Sequence, residues 1–251
     1  MSISFDRAAA IYDETRGGEH RGRLCAETLE PRFASSGLTV EVGVGTGLVG
    51  AALQAGGRRV VGIDISVQML RRARDRKLAV ARADALALPF ASASVDDAYS
   101  VWVLHLVADP AAVLSEVMRV LRPGGRYVTE LTSIYDREYD DIALILREMD
   151  LQLRGGQPPR DDPKRIVALA ERAGFRLVDI IERTTDVFRA SPEESAALVE
   201  RREFSKLWDL DAERWQAIVE PALSALRALP EPQRQRERHA VHEIIVLEKP
   251  L

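Results

Sequence analysis

Short apolar runs alternate with amphipathic stretches along the first half of the chain. Leu38 to Val42 is apolar and β-branched and ends at glycines, so it reads as a strand. Thr46 to Ala55 reads as a helix of small residues, stopped by Gly56 and Gly57. Arg59 to Ile63 predicts a second strand ending at Asp64. Ser66 can cap the helix that follows, in which Val67, Leu70 and Ala73 share one face while the arginines face water. Leu78 to Ala83 and Asp97 to Leu104 predict a third and a fourth strand. Asp109 and Pro110 form a helix start, with proline at the first helical position and an apolar stripe of Val113, Val117, Val120 and Leu121. Arg122-Pro123-Gly124-Gly125 stops that helix and turns the chain into a fifth strand, Tyr127 to Leu131. Strands and helices alternating at this spacing predict an α/β protein with a parallel sheet covered on both faces.

The second half has a different pattern. Ser133 to Arg154 is amphipathic and predicts a helix, Gly155 to Pro159 a loop, and Asp162 to Ala173 another helix ended by Gly174. Phe175 to Phe188 and His239 to Leu247 carry strand-like residues. Between them, Ser191 to Arg238 holds capping signals at Ser191-Pro192 and Asp211, together with Trp208 and Trp215. Two helices there would form a lid or an oligomer face. The tryptophans would share one face of a continuous helix, where core packing or substrate stacking are the alternative roles. Pro230 to Arg238 is the best linker candidate. The expected organisation is a single domain over 1–251, with cap helices in 1–30, a ligand-binding core in 36–132 and helical inserts in 133–160 and 190–238.

Composition narrows the partners. The 251 residues are 46% hydrophobic, enough for a sizeable core. A formal net charge of -4 gives little general help in binding phosphate backbones and argues against a nucleic-acid partner. The single cysteine, Cys25, reads as a small buried hydrophobe. His20, His105, His239 and His242 show no metal-ligand spacing, so no metal is expected; His239 and His242, three apart in a strand, would point to opposite faces. The charged N-terminus lacks an apolar core segment and no run of about 18 uncharged apolar residues occurs, so neither a signal peptide nor a membrane span is expected and the reading is cytoplasmic.

The chemistry concentrates at Val40-Glu41-Val42-Gly43-Val44-Gly45-Thr46-Gly47, a strand running through a glycine turn into a helix. Glycines allow positive φ and close approach of a ligand to the backbone. The helix start beyond them offers unpaired N–H groups. At the top of a parallel sheet this is where a nucleotide-like ligand binds. Gly45 to Gly50 also fits G-x-G-x-x-G, the dinucleotide fingerprint, and a turn that merely joins strand to helix has the same look. Asp64, at the end of the second strand, can accept both ribose hydroxyls, which suits nicotinamide dinucleotide and S-adenosylmethionine alike.

The ordered set of motifs from Leu38 to Leu131 separates the two. An acidic residue, an apolar residue and G-x-G-x-G appear as Glu41, Val42, Gly43, Gly45 and Gly47. Asp64, Ser66, Met69 and Leu70 give D-x-S-x-x-M-L. Asp84-Ala85, Leu88-Pro89-Phe90 and Asp96-Asp97 follow, then His105 and the L-R-P-G-G turn at Leu121 to Gly125. In these features the chain resembles the class I S-adenosylmethionine-dependent methyltransferases, in particular the small-molecule branch that includes ubiquinone and menaquinone biosynthesis enzymes. Phe5-Asp6 and Tyr12-Asp13 are similar to the helix that closes over the cofactor in that branch.

The resemblance implies a Rossmann-like fold: a seven-stranded, mostly parallel sheet with a final antiparallel hairpin, supplied by Phe175 to Phe188 and His239 to Leu247. It implies S-adenosylmethionine as cofactor and S-adenosylhomocysteine as product. Gly43, Gly45 and Gly47 would carry the methionine part along their backbone, with Glu41 beneath it. Asp64 would bind the ribose, and Ile65 and Met69 would pack on adenine. Asp84 would accept from the adenine amino group, with Ala85 beside the ring. Val101 and Trp102 would line the methionine end, and Tyr12 and Arg16 would close from the N-terminal side. Methyl transfer to a small-molecule oxygen, nitrogen or carbon would proceed by in-line displacement, driven by alignment and water exclusion. Where the nucleophile must lose a proton, His105 has the most suitable unperturbed pKa among His105, Glu130, Tyr12 and Tyr135; a structural histidine hydrogen-bonded to backbone is the alternative. An NAD-dependent oxidoreductase and a non-catalytic cofactor-binding or assembly protein of the same fold stay open, as does a homodimer.

Overall fold

The structure is a computed structural model that describes Asp13 and residues 17–131, 134–135, 140–184, 188–238 and 240–251. The chain divides into two compact units. One comprises Met1–Thr132, Arg160–Ile181 and Glu243–Leu251, the other Ser133–Pro159 and Glu182–His242.

The first unit runs α1 (Gly18–Leu29), β1 (Leu38–Val42), α2 (Leu48–Ala55), β2 (Arg59–Asp64), α3 (Val67–Asp75), β3 (Ala79–Arg82), β4 (Val95–Val101), α4 (Pro110–Val120) and β5 (Leu121–Glu130). Its sheet has the order β3-β2-β1-β4-β5, with parallel pairing throughout. The sheet is completed by residues from far along the chain. β10 (Ala240–Glu248) lies antiparallel on β5, matching Ile245 to Thr129, and β7 (Arg176–Thr184) pairs with β10. These seven strands, mostly parallel, are as the motifs imply, and a two-residue strand on the start of β10 makes an eighth. α6 (Pro163–Arg172), capped by Asp162 on the Arg165 N–H at 3.1 Å, belongs to the same unit.

Alternation along the strands divides the core between the two faces. Ala98, Tyr127 and Ile245 join Val113, Val117 and Ile166 on one side. Tyr99, Val128 and Ile244 join Cys25, Leu29, Val49 and Leu70 on the other. Cys25 is fully buried. Asp97, also fully buried, ties the loop before β1 to the sheet by accepting from the N–H groups of Ala34, Ser35 and Arg126 at 2.9, 3.1 and 3.0 Å.

Three boundaries in this unit differ from expectation. α2 begins at Leu48 because Gly47 has φ +82 and cannot be helical. β4 stops at Val101, short of Leu104, because Trp102 is left-handed at φ +56. β5 begins at Leu121, so the Arg-Pro-Gly-Gly segment is a bulge within the strand and not a turn ahead of it. Val95 faces Leu121 while Asp97 already faces Arg126. Gly124 takes φ +79 there, and a Cβ on Gly125 would lie 2.3 Å from the Asp96 carbonyl oxygen.

The second unit contains β6 (Ile134–Tyr135), α5 (Asp141–Leu153), β8 (Phe188–Ala190), α7 (Pro192–Glu200), α8 (Ala212–Arg214), α9 (Glu220–Arg227) and β9 (Arg236–Arg238). The helix expected over 133–154 starts only at Asp141, where the Asp140 side chain caps it on the Ala143 N–H; Ile134 and Tyr135 pair instead with Val241 and Ala240. The proposed linker 230–238 is not one. Arg236–Arg238 pairs antiparallel with Phe188–Ala190, and the Arg236 guanidinium donates to the Asp141 carboxylate at 2.9 Å and the Pro230 carbonyl at 3.0 Å. Ser191 caps α7 in a reciprocal box with Glu194. No continuous helix joins the two tryptophans. Arg202 gathers the carbonyls of Leu207, Trp208 and Leu210, holding a turn before Asp211, while Trp215 opens a π-helical stretch, Trp215–Val219, under the same guanidinium at 4.3 Å. His239 lies outside the described residues, and His242 is buried.

Candidate functional site

The carboxyl ends of the parallel strands meet at the glycine turn. β1 leaves the sheet at Gly43, and the N–H groups of Gly43 and Val44 both donate to the Ile63 carbonyl, at 2.7 and 2.9 Å. The turn is thereby pinned to the end of β2. Gly43, Gly45 and Gly47 all have positive φ, at +74, +54 and +82. Their surroundings differ. A Cβ on Gly43 would sit 2.4 Å from Val103 Cγ2, and one on Gly47 would sit 2.6 Å from Leu78 Cδ1. Among the described residues, a Cβ on Gly45 would have no heavy atom within 4 Å. Gly43 and Gly47 are glycines for packing as well as for backbone shape, whereas Gly45 faces open space, as a backbone that cradles a ligand must.

Asp64 holds the turn from the β2 side. Its carboxylate accepts from the Gly45 N–H at 2.8 Å and from the Ser66 N–H at 2.9 Å. Ser66 caps α3 by accepting from the Met69 N–H at 3.2 Å. The next residue outward, Ile65, is 42% exposed at the strand end, whereas Met69 is only 2% exposed and offers almost no surface to a ring. β3 ends beside Asp64, with the Ala83 N–H donating to the Asp64 carbonyl at 3.1 Å. This sets Asp84 next in line. Asp84 is exposed, with one oxygen on the Leu86 N–H at 3.0 Å, and Ala85 beside it is half-buried.

On the other flank, Val101 ends β4 opposite Glu130. Trp102 keeps its left-handed backbone by donating its N–H to the Glu130 carbonyl at 3.0 Å. The Arg21 guanidinium from α1 stacks 3.5 Å from the centre of its ring. Glu130 is 1% exposed. His105 follows in the turn after β4, two residues beyond the Val103 side chain that covers Gly43. Its ring is 26% exposed, with Nδ1 facing Asp161 Oδ2 at 3.9 Å.

Glu41 lies beneath the turn. It is 3% exposed and sits under Gly50 of α2, where a Cβ would come within 2.6 Å of Glu41 Oε2. Burial pushes its carboxyl up to about 8; the Tyr99 hydroxyl opposes that, the Asp64 charge adds to it and the Gly50 N–H opposes it. Burial and the facing Glu41 in turn push the Tyr99 phenol well above its ordinary range. The folded chain therefore keeps a proton on Glu41 at pH values where the unfolded chain, with a carboxyl near 4.5, has lost it. That contribution to stability is full below the unfolded value and is lost as pH rises toward about 8. Glu41→Gln has no proton to lose. In urea titrations its stability relative to the unsubstituted chain is expected to rise between about pH 5 and pH 8 and to level off above. A difference independent of pH would show that Glu41 ionises normally.

Asp13, of the Tyr12-Asp13 pair, clamps the turn through partners that no sequence pattern shows. Asp13 accepts from Thr46 Oγ1 at 2.5 Å and from the Arg76 guanidinium at 2.7 Å, and Arg76 also donates to the Thr46 carbonyl at 2.9 Å. Residues 46 and 76 are 30 apart and 13 is remote from both, so only the folded chain shows the group. The Arg21 stack and Asp161 were likewise invisible to motif reading. Tyr12 and Arg16 lie outside the described residues, and so does the side chain of Tyr135.

A glycine turn at the crossover of a parallel sheet, an acidic residue beneath it and a carboxylate on the neighbouring strand sit in a Rossmann-like fold of the class I methyltransferase type. Residues 40–129 match the family described as Methyltransferase domain. Among curated proteins the chain is 32% identical over 168 residues to a demethylmenaquinone methyltransferase of Clavibacter sepedonicus, covering 63% of this chain and 66% of that one. It is 34% identical over 154 residues to the O-methyltransferase cnsE of Penicillium expansum, covering 57% and 53%. The chain spans at most 66% of the length of the first such relatives, and 27% to 49% of others. Among solved structures, a putative methyltransferase of Bacillus halodurans C-125 superimposes with a TM-score of 0.63 at 17% identity, over 90% of this chain and 98% of that one. That likeness is one of fold. Among the described residues no helix is long and apolar enough to cross a membrane.

Proposed function

We propose that the chain binds S-adenosylmethionine on the Gly43–Gly47 turn and transfers its methyl group to a small-molecule acceptor in the cytoplasm. The observation that carries this reading is Gly45. Among the described residues it alone of the three turn glycines opens onto free space, and its N–H is held by the carboxylate proposed to take the ribose. Bound there, S-adenosylmethionine supplies an electrophilic methyl group on a positively charged sulfur. Asp64 accepts from the ribose, Asp84 from the adenine amino group, Ile65 and Ala85 flank the ring, and Val101 and Trp102 line the methionine end. Glu41 offers an acceptor beneath the amino group. Tyr12 and Arg16 complete the proposal from the N-terminal side, and His105 is the candidate base. The relatives' names, a demethylmenaquinone methyltransferase and an O-methyltransferase, support an acceptor of metabolite size.

Calorimetric titration of the whole chain with S-adenosylmethionine and, separately, with NAD tests the ligand. Saturable binding of the first and none of the second is expected; binding of NAD alone would overturn the reading. Incubation with methyl-labelled S-adenosylmethionine and a metabolite extract tests the transfer, with label expected in a small organic product.

A further inference from the structure

We propose that Asp13 and Arg76 are positioning residues for the cofactor, holding Thr46 so that the Gly45–Thr46 peptide keeps one orientation toward it. This rests on the S-adenosylmethionine reading above and adds two residues to the machinery of that site. Gly43, Gly45 and Gly47 all have positive φ. Glycine loses more conformational freedom on ordering than any other residue, so such a turn needs outside restraint to keep a shape that a ligand can use. The restraint comes from bonds to its peptide groups. The Val44–Gly45 peptide is fixed on both sides: the Val44 carbonyl accepts from the Gly47 N–H at 2.9 Å, and the Gly45 N–H donates to Asp64 at 2.8 Å. The Thr46–Gly47 peptide is also fixed on both sides, by that same Gly47 bond and by Arg76 Nη1, which donates to the Thr46 carbonyl at 2.9 Å. The peptide between them, Gly45–Thr46, is oriented by its two neighbours. It begins at the glycine of this turn where, among the described residues, an added Cβ would meet no heavy atom within 4 Å.

A long arginine side chain loses rotamer freedom in making such a bond. Asp13 offsets that loss by accepting from Arg76 Nη2 at 2.7 Å, while its other oxygen accepts from Thr46 Oγ1 at 2.5 Å. The three residues close a ring. The guanidinium spans the Thr46 carbonyl and the Asp13 carboxylate with two different nitrogens, and the carboxylate spans the guanidinium and the Thr46 hydroxyl with two different oxygens. Bonds with an ionised partner are shorter and stronger than neutral ones. Arg72 Nη1 lies 3.8 Å from the Asp13 oxygen that takes Arg76 and adds to the positive field there. Thr46 is buried and its hydroxyl gives its one proton to Asp13, so its side chain serves the ring and not a ligand. Arg76 follows the end of α3, and Asp64 stands just before its start. The β2–α3 unit therefore grips the turn from both ends, at Gly45 through Asp64 and at Thr46 through Arg76.

Calorimetry with S-adenosylmethionine and urea unfolding, both on the full chain, test the ring. Asp13→Ala and Thr46→Val are each expected to raise the Kd about ten-fold. The double variant is expected to raise it about ten-fold as well, because both substitutions open the same ring. Thr46→Ser keeps the hydroxyl and is expected to keep the unsubstituted Kd. Arg76→Lys keeps the charge but has one nitrogen for two acceptors, and is expected to bind as weakly as Thr46→Val. A loss of about a hundred-fold in the double variant, the product of independent effects, would overturn the shared ring. A Thr46→Val chain that loses stability at unchanged Kd would show the ring to be structural only. Nitrogen-15 NMR of the arginine side chains needs no substitution. Arg76 is expected to give two resolved Nη signals, since its two nitrogens hold different acceptors; one averaged signal, from a freely rotating guanidinium, overturns the ring. Failure of the unsubstituted chain to bind S-adenosylmethionine overturns the reading on which this rests, whereas binding that none of these substitutions weakens overturns the positioning role alone.

Discussion

Gly43→Ala is expected to destabilise the fold by roughly 2–5 kcal/mol, whereas Gly45→Ala is expected to cost about 1 kcal/mol of stability yet abolish most cofactor affinity. Both positions are left-handed, so both substitutions carry backbone strain. Only Gly43 adds a steric term, because its new methyl would meet Val103 at 2.4 Å. Val103 is itself 8% exposed and packed, so it can yield only by displacing the turn after β4. At Gly45 the methyl would enter open space, the space in which the methionine chain is proposed to lie. Urea unfolding and calorimetry with S-adenosylmethionine separate the two effects. Equal losses of stability would mean that Val103 yields to the new methyl, and unchanged affinity in Gly45→Ala would mean that the ligand does not pass over this turn.

The second large effect is expected at Asp64. Asp64→Ala should weaken S-adenosylmethionine binding by about 1–3 kcal/mol, on the order of ten- to a hundred-fold, through lost ribose hydrogen bonds. The same carboxylate holds the N–H groups of Gly45 and Ser66, so stability should fall as well. Asp64→Asn discriminates between the two roles. Its side-chain oxygen can still accept one of those bonds, but it no longer offers a charged acceptor to a pair of hydroxyls. Affinity that falls in Asp64→Asn while stability is nearly kept identifies a ligand contact. Stability that falls while affinity is unchanged places the ribose elsewhere.

The glycine turn, the first five strands and the capping of α3 and α4 were legible because each is local. Ser66 and Asp109 bond to groups two or three residues away, and the turn glycines are spaced by backbone geometry that any sequence of this type must satisfy. Met69 lies on the helix face that also carries Leu70 and Ala73 into the core, and it is buried with them, a placement that its position in the motif does not show. The bulge in β5 could not be read because Arg-Pro-Gly-Gly is an equally good turn until Asp96, on another strand, fills the space beside Gly125. The second half was read least well. Its short strands are set by partners 46 to 107 residues distant, such as Ala190 with Arg236 and Ile134 with Val241, and no local signal marks such pairs. The bonds of Asp13 to Thr46 and Arg76 share that character: residues far apart in the sequence meet only in the folded chain.

The way β10 enters the sheet has a consequence for how the molecule is made. Ile244 to Leu247 are at most 1% exposed and lie against β5, and Lys249 anchors the strand by donating its ammonium to the carbonyls of Met118 and Leu121 at 2.8 and 2.7 Å. More than a hundred residues separate these partners along the chain. A growing chain can lay down the glycine turn and the five parallel strands early, but the outer edge of β5 must wait with its amide and carbonyl groups unpaired. β7 waits with it, since its partner is the same late strand. Closure of the sheet is therefore a slow, long-range event that follows assembly of the ligand-binding half. Until it happens, the nascent protein exposes a ready edge for another chain to occupy.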